Sequence, residues 1–151
     1  MQDIEDFKKS IGRKSRLLGV DPGKKRVGLA ISDEDKLVST PLKTIIKKNN
    51  SDFIKEIRKI IEENNIKGII VGNPINMDGS RGSSAQSAND FAKHLSNNVS
   101  VPVTMWDERL SSEGAFNLSS NLDVNTSKKV EKLDQNAASF ILQGAIDYIR
   151  R

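Results

Sequence analysis

Two short runs of consecutive apolar residues constrain the fold of this chain more than any other feature. They span residues 17–20 and 68–72, and polar or turn-forming residues bound each run. Strands that are buried on both faces have this continuous pattern, because neither face meets solvent. The two runs therefore predict central strands of a sheet with helices on both sides.

The segments after the first run predict an antiparallel meander. Residues 26–33 and 38–46 follow with only short turns between them, so three sequential strands are expected to pair as neighbours. Pro41 cannot donate a ladder hydrogen bond, which places the third strand at an edge. A last, half-exposed strand is predicted from alternating apolar residues, namely Val99, Val101, Val103 and Met105.

Helical spacing of apolar residues predicts the remaining elements. One amphipathic helix is expected at residues 51–64, a second after the cap at Ser83, a third near 111–119 and a long one at 133–148. Residues 120–132 are polar and cationic, which predicts a mobile loop. This order of elements gives an α/β fold: a five-stranded mixed sheet, with three antiparallel strands and then two parallel ones, and helices on both faces.

The length indicates one domain. A chain of 151 residues suits a single core on a prior of about 150 residues per domain. Residues 16–151 are predicted to form that domain, and residues 1–15 a charged N-terminal extension without the apolar segment of a secretion signal. No apolar run approaches the roughly 20 residues of a membrane span, so a cytoplasmic protein without a membrane partner is expected.

The composition excludes several chemistries. Cysteine is absent and His94 is the sole histidine, which removes disulfides, thiolate catalysis and nearly every zinc site. Oxygen ligands are what the chain has in quantity. Lys and Arg number 24 against 20 Asp and Glu, and this modest excess suits a polyanionic partner.

Asp21 ends the first apolar run, in the stretch Gly19-Val20-Asp21-Pro22-Gly23. A carboxylate at the end of a buried strand has a rigid support, so it can present hard oxygens at a sheet edge. Asp-Pro-Gly is also an ordinary turn sequence. A nucleotide P-loop is excluded, because Leu29 and Ala30 replace the Lys and Ser/Thr that such a loop needs.

Two further acidic positions stand out. Asp107, Glu108 and Arg109 follow the last predicted strand, where they suit a metal ligand beside a phosphate-binding guanidinium, or else a helix cap with a surface ion pair. Asp134 begins the final helix and shares its inward stripe with Ala138, Ile141, Ala145 and Ile149. An inward carboxylate there needs a cation or a hydrogen bond, although the helix dipole also favours an acid in a first turn.

The combination closely resembles the YqgF family of ribonuclease H-like proteins, over about residues 16–149. The residues that carry the resemblance are Asp21, Arg26, Gly28, Ala30, Ser32, Asp33, Gly72-Asn73-Pro74, Asp78-Gly79-Ser80, Asp107-Glu108-Arg109-Leu110, Asp134 and Ala137-Ala138. Asn73 departs from the leucine usual in the family, and residues 126–132 are less arginine-rich than usual.

The resemblance implies a nuclease. The family is described as Holliday junction resolvases and as nucleases for the 5′ end of the small-subunit ribosomal RNA precursor, and its acidic site residues fall on Asp21, Glu108 and Asp134. Independently of the family, phosphodiester hydrolysis without histidine or cysteine can use two hard cations, Mg²⁺ or Mn²⁺, bridged by carboxylates. Glu108 is expected two strand spacings from Asp21, about 9 to 10 Å, which its longer side chain or a water would have to close.

Basic residues flank these acids along the chain. Such clusters bind a nucleic-acid backbone and make affinity depend on salt, although a plain solvated surface is the alternative. The predicted nucleic-acid-binding residues are Lys24, Lys25, Arg26, Arg81, Arg109, Lys128, Lys129 and Lys132.

The sequence therefore predicts a metal-dependent nuclease, with 5′-end processing of pre-16S ribosomal RNA as the expected activity. Holliday junction resolution and non-catalytic nucleic-acid binding are the alternatives. An actin-like ATPase would need two such domains. Monomer and homodimer both stay open, since junction cleavage favours two symmetric sites and trimming an RNA end does not.

Overall fold

The computed structural model describes residues 1–74, 83–107 and 126–151, with the side chains of all these except 83, 84 and 126–131. The elements in chain order are α1 (Ile4–Ser10), β1 (Arg16–Asp21), β2 (Arg26–Ser32), β3 (Ser39–Ile46), α2 (Asn50–Glu63), β4 (Ile66–Asn73), α3 (Ser83–Asn98), β5 (Val103–Asp107) and α4 (Thr126–Ile149). The helix predicted near residues 111–119 lies outside the described residues.

The five strands form one mixed sheet in the order β3-β2-β1-β4-β5. β2 pairs antiparallel with both β1 and β3, whereas β4 is parallel to β1 and β5 is parallel to β4. The predicted α/β fold and strand arrangement are confirmed. The two continuous apolar runs are the central strands β1 and β4, as their burial on both faces requires.

The two faces of the sheet carry separate apolar cores. On one face, Leu18, Val20, Ile69 and Val71 pack with residues of α2 and α3, including Phe53 and Leu95. On the other face, the core combines strand residues with α1 and α4; its members include Phe7, Leu17, Ile70, Trp106, Leu142 and Ile146. Because successive strand residues alternate between these cores, the face of each side chain near the sheet edge can be assigned.

The last strand begins later than the sequence predicted. β5 begins at Val103, although apolar alternation starts at Val99. Val99 and Val101 pack against the core on the α2 and α3 face from the connection before the strand. Their apolar character therefore reflects burial without pairing.

The final helix begins earlier than predicted. α4 starts at Thr126, so the predicted mobile loop at residues 120–132 is wrong for 126–132; residues 120–125 lie outside the described ranges. Polarity suggested a loop, but no proline interrupts the sequence between 126 and 149. A helix needs only one apolar stripe and tolerates polar residues elsewhere, and Lys132 is exposed.

The N-terminal segment packs against the domain. Asp3 caps α1 by accepting a hydrogen bond from the backbone N–H of Asp6. Phe7 is fully buried, and its ring fills the space beside Gly68, where a Cβ atom would lie 2.6 Å from the Phe7 Cζ. The division of the chain at residue 15 stays a prediction. No helix within the described ranges is long and apolar enough to span a membrane.

Candidate active site

The carboxyl ends of the central strands place polar residues along one edge of the sheet. β1 ends at Asp21 and the parallel β4 ends at Asn73, with Val20 and Val71 in register. β5 ends at Asp107, in register with Asn73. β4 separates β1 from β5, so Asp107 ends a strand two places away from that of Asp21. Glu108, for which a distance of two strand spacings was predicted, lies outside the described residues.

Strand alternation separates Asp21 from Asp107. Gly19 lies against Leu142 of α4, so Asp21, two residues later, belongs to the α4 face. Trp106 is buried in the α1 and α4 core, which assigns Asp107 to the face covered by α2 and α3. Asp107 is therefore on the wrong face to join Asp21.

Gly28 allows α4 to bring Asp134 to this edge. Gly28 is the register partner of Asp21 on β2. A Cβ atom at Gly28 would lie 2.0 Å from the backbone oxygen of Asp134, far inside any allowed contact. Only a residue without a side chain lets the helix backbone come so close to the strand. Asp134 thus reaches the immediate neighbourhood of Asp21, although 113 positions separate them in the sequence.

The two acids line one cavity of about 400 Å³. Its described lining residues are Asp21, Pro22, Gly23, Lys24, Lys25, Arg26 and Asp134. Asp21 is half-buried, while Lys24 and Lys25 are exposed at the rim. The cavity therefore combines carboxylates with a cluster of cations. Carboxylates suit metal ions, and the cations suit a sugar-phosphate backbone.

Arg26 makes a direct ion pair in this cavity. Its Nε donates to Oδ2 of Asp134 at 2.8 Å, with 46% of the Arg26 side chain and 22% of the Asp134 side chain exposed. A pair this exposed contributes little to folding stability. Arg26 is thus the cation that an inward carboxylate at position 134 needs.

Several predicted site residues lie outside the described residues. These are Glu108, Arg109 and Arg81, together with the side chains of Lys128 and Lys129. Their assignments stay predictions. Within the described ranges, no group of three or more His, Asp or Glu side chains is close enough to hold a metal ion.

Asp33, Trp106 and His94 do not line the acid cavity. Asp33 lies at the opposite end of the sheet from Asp21, where its Oδ1 accepts hydrogen bonds from the backbone N–H groups of Leu37 at 2.7 Å and Val38 at 3.0 Å. These bonds hold the pKa of Asp33 below its usual value. Asp33 therefore stabilises the turn between β2 and β3. Trp106 is buried in the core and His94 is exposed.

A second cavity beside the first was missed by sequence reasoning. It measures about 340 Å³ and shares Pro22, Gly23 and Lys24 with the acid cavity. Its other described lining residues are Lys47, Pro74, Ser87, Ala88 and Phe91. One signal could have found it: Lys47 directly follows β3, which ends beside the start of β2 and hence at the same edge as Asp21.

The model of the family described as "RuvX: Holliday junction resolvase" matches residues 15–148. The chain belongs to this family. The resemblance to YqgF proteins is thereby confirmed, since curated relatives of that group match the chain over nearly its whole length.

One such relative, from Pelagibacter ubique, is named "Putative pre-16S rRNA nuclease" and is 58% identical over 149 residues, 99% of each chain. A protein of Rhodobacter capsulatus with the same name is 40% identical over 144 residues, covering 95% of this chain and 91% of the relative. Among solved structures, Thermus thermophilus RuvC in complex with a Holliday junction substrate is 13% identical. It covers 90% of this chain and 95% of that chain with a TM-score of 0.55. This likeness shows the ribonuclease H-like fold.

Proposed function

We propose that this chain is a metal-dependent nuclease that hydrolyses phosphodiester bonds and processes the 5′ end of pre-16S ribosomal RNA. The observation that carries the proposal is the single cavity in which Asp21 and Asp134 meet beneath three cationic residues. Family membership and the names of the relatives support the same activity and substrate. A cytoplasmic location follows from that substrate.

The donor set fits Mg²⁺ or Mn²⁺. Both ions prefer oxygen ligands, and the described acids of the cavity offer carboxylate oxygens only. Asp21, Asp134 and Glu108 would hold the ions, with Glu108 favoured over Asp107 because strand alternation sends Asp107 to the other face. When bound, a pair of such ions activates water and stabilises the leaving oxyanion.

The basic residues are proposed to position the substrate. Lys24 and Lys25 border the acids and would bind phosphate oxygens on either side of the cleaved bond. Arg26 holds the Asp134 carboxylate in a fixed orientation before substrate arrives. Arg109 would clamp a phosphate with its guanidinium, and four further cations would bind the backbone, namely Arg81, Lys128, Lys129 and Lys132.

Resolution of Holliday junctions is the second candidate, because the family description states that activity. It would require two sites that cut two strands, hence a symmetric homodimer, whereas a monomer suffices to trim an RNA end. Mass in solution, measured together with cleavage of both substrates at one salt concentration, separates the two candidates. A non-catalytic binding protein would retain affinity without cleaving either substrate.

The test of catalysis is cleavage during a titration of Mg²⁺ or Mn²⁺, comparing wild type with Asp21→Asn and Asp134→Asn. Loss of a catalytic carboxylate is expected to abolish metal-dependent cleavage without unfolding the protein. Asp147→Asn is the matched control, since Asp147 lies on the same helix as Asp134 but pairs with Arg150 at its far end. Undiminished cleavage by Asp21→Asn would refute the assignment.

A further inference from the structure

The groove beside the acid cavity is continuous with it. Both are lined by Pro22, Gly23 and Lys24, the turn that joins β1 to β2. Asp134 of α4 borders one side of this turn, and Ser87 and Phe91 of α3 border the other. A nucleic-acid strand that leaves the acid cavity across this turn therefore enters the groove. The groove volume of about 340 Å³ gives room for one nucleotide.

The apolar wall of the groove includes a supported aromatic ring. Phe91 is half-buried and packs against the buried Phe53, with ring centroids 5.5 Å apart and ring planes tilted by 53°. Phe53 thus supports Phe91 from inside the core, while Pro22 and Pro74 line the same groove. An aromatic ring that is fixed on one side and partly open on the other can stack with a base.

Lys47 places a positive charge against the same ring. Its ammonium lies 5.4 Å from the ring centroid of Phe91 and 5.8 Å from that of Phe53. Its backbone N–H donates to the carbonyl of Lys25 at 2.7 Å, which fixes the residue beside the turn. Lys47 forms none of the salt bridges found among residues 1–74, 83–107 and 126–151. A cation placed beside an aromatic ring in this way can bind a phosphate.

We propose that this groove binds one unpaired nucleotide next to the cleaved phosphodiester, with its base against Phe91 and its phosphate against Lys47. The inference rests on the proposed function, because it concerns the same strand. It adds that the substrate is single-stranded on one side of the cleavage site. A base within a duplex is already stacked and paired, so it has no free face for Phe91.

The test measures binding in the absence of cleavage. A short fluorescein-labelled single-stranded RNA and its duplex form are titrated by anisotropy in EDTA over a range of KCl concentrations. Phe91→Leu is expected to weaken single-strand binding about tenfold and to leave duplex binding unchanged, whereas Phe91→Tyr keeps the ring and stays within about twofold of wild type. Equal weakening of both forms, or of neither, would overturn the inference.

The charge is tested by the salt dependence. Lys47→Gln should reduce the slope of log affinity against log salt by about 0.7, the effect of losing one phosphate contact to a single strand. Lys67→Gln is the control, since Lys67 is exposed near the start of β4, away from the groove. A slope unchanged in Lys47→Gln would show that this lysine only packs on the rings.

A third pair of variants does not depend on core packing. Ser87 is exposed and lines the groove, while its exposed neighbour Gln86 is not among the lining residues. Ser87→Glu should weaken single-strand binding, and Gln86→Glu should not; equal binding by the two would contradict the inference. Because these measurements need no metal ion, they stay interpretable even if Asp21→Asn fails to stop cleavage and the proposed function is wrong.

Discussion

Gly28→Ala tests whether the close approach of α4 to β2 positions the candidate site. The added Cβ would lie 2.0 Å from the backbone oxygen of Asp134 and 2.4 Å from its carbonyl carbon. Side-chain Cβ atoms do not come closer than 3.0 Å to such atoms, so α4 must move by about 1 Å or more at Asp134. Both obstructing atoms belong to the backbone, which means that no side-chain rotation can relieve the contact.

The expected magnitudes follow from that displacement. Overpacking of this kind lowers the free energy of unfolding by about 1–3 kcal/mol, and alanine returns about 0.4–1 kcal/mol by restricting the unfolded chain. The net loss should be about 1–2 kcal/mol. A catalytic group misplaced by about 1 Å can reduce activity about 100-fold, so cleavage should fall far more than stability.

The assay pairs urea unfolding, followed by circular dichroism, with cleavage at saturating Mg²⁺ well below the unfolding midpoint. Gly12→Ala is the matched control, because the nearest atom to a Cβ there is the Ser15 Oγ at 3.7 Å, an ordinary contact. It should leave stability within about 0.5 kcal/mol of wild type and activity intact. If Gly28→Ala is as active as Gly12→Ala, the helix approach does not position Asp134.

Three further predictions concern stability and pH. Asn73→Leu should raise the free energy of unfolding by about 1 kcal/mol in urea titrations, because the buried Asn73 Oδ1 has no hydrogen-bond partner among the described residues; a decrease would contradict this reasoning. Tyr148 donates to Glu5, which raises the pKa of Tyr148 above 10.0, so this bond stabilises α1 below pH 10 and is lost as pH rises through the raised pKa. Tyr148→Phe should therefore flatten the decline of thermal stability above that pH, and an unaltered decline would count against the bond. The backbone bonds from Val38 and Leu37 lower the pKa of Asp33, so they stabilise the fold above pH 3.8 and are lost as pH falls through the lowered pKa; Asp33→Asn should remove that part of the acid dependence, measured by the same melts.

Much of the fold follows from local pattern. The continuous runs at β1 and β4 predict central strands because burial on both faces selects for them, and the stripe that includes Ala138 and Ile141 predicts the inward face of α4. The start of α4 was missed because polarity alone does not separate an exposed helical turn from a loop. The long stretch without proline, residues 126–149, was the better signal there.

Only part of the candidate site could be predicted, because its contacts join residues that are far apart in the sequence. Asp21 and Asp134 each stand out locally, at a strand end and on an apolar stripe. The ion pair of Arg26 with Asp134 joins residues 108 positions apart, so no periodic pattern reveals it. Lys47 and Phe91 each have an ordinary local explanation, and their proposed joint role depends on a sheet edge that only the folded chain assembles.

The packing of Phe7 against Gly68 affects which end of the sheet depends on the N-terminal helix. It lies near the start of β4, whereas the acid cavity lies beyond the ends of the strands. Shortening or replacing the first residues would loosen the end of the sheet at which β4 begins. The end that carries Asp21 would stay assembled. Phe7 and Gly68 therefore lie at the other end of the sheet from Asp21 and Asp134, so changes there act at a distance from the acid cavity.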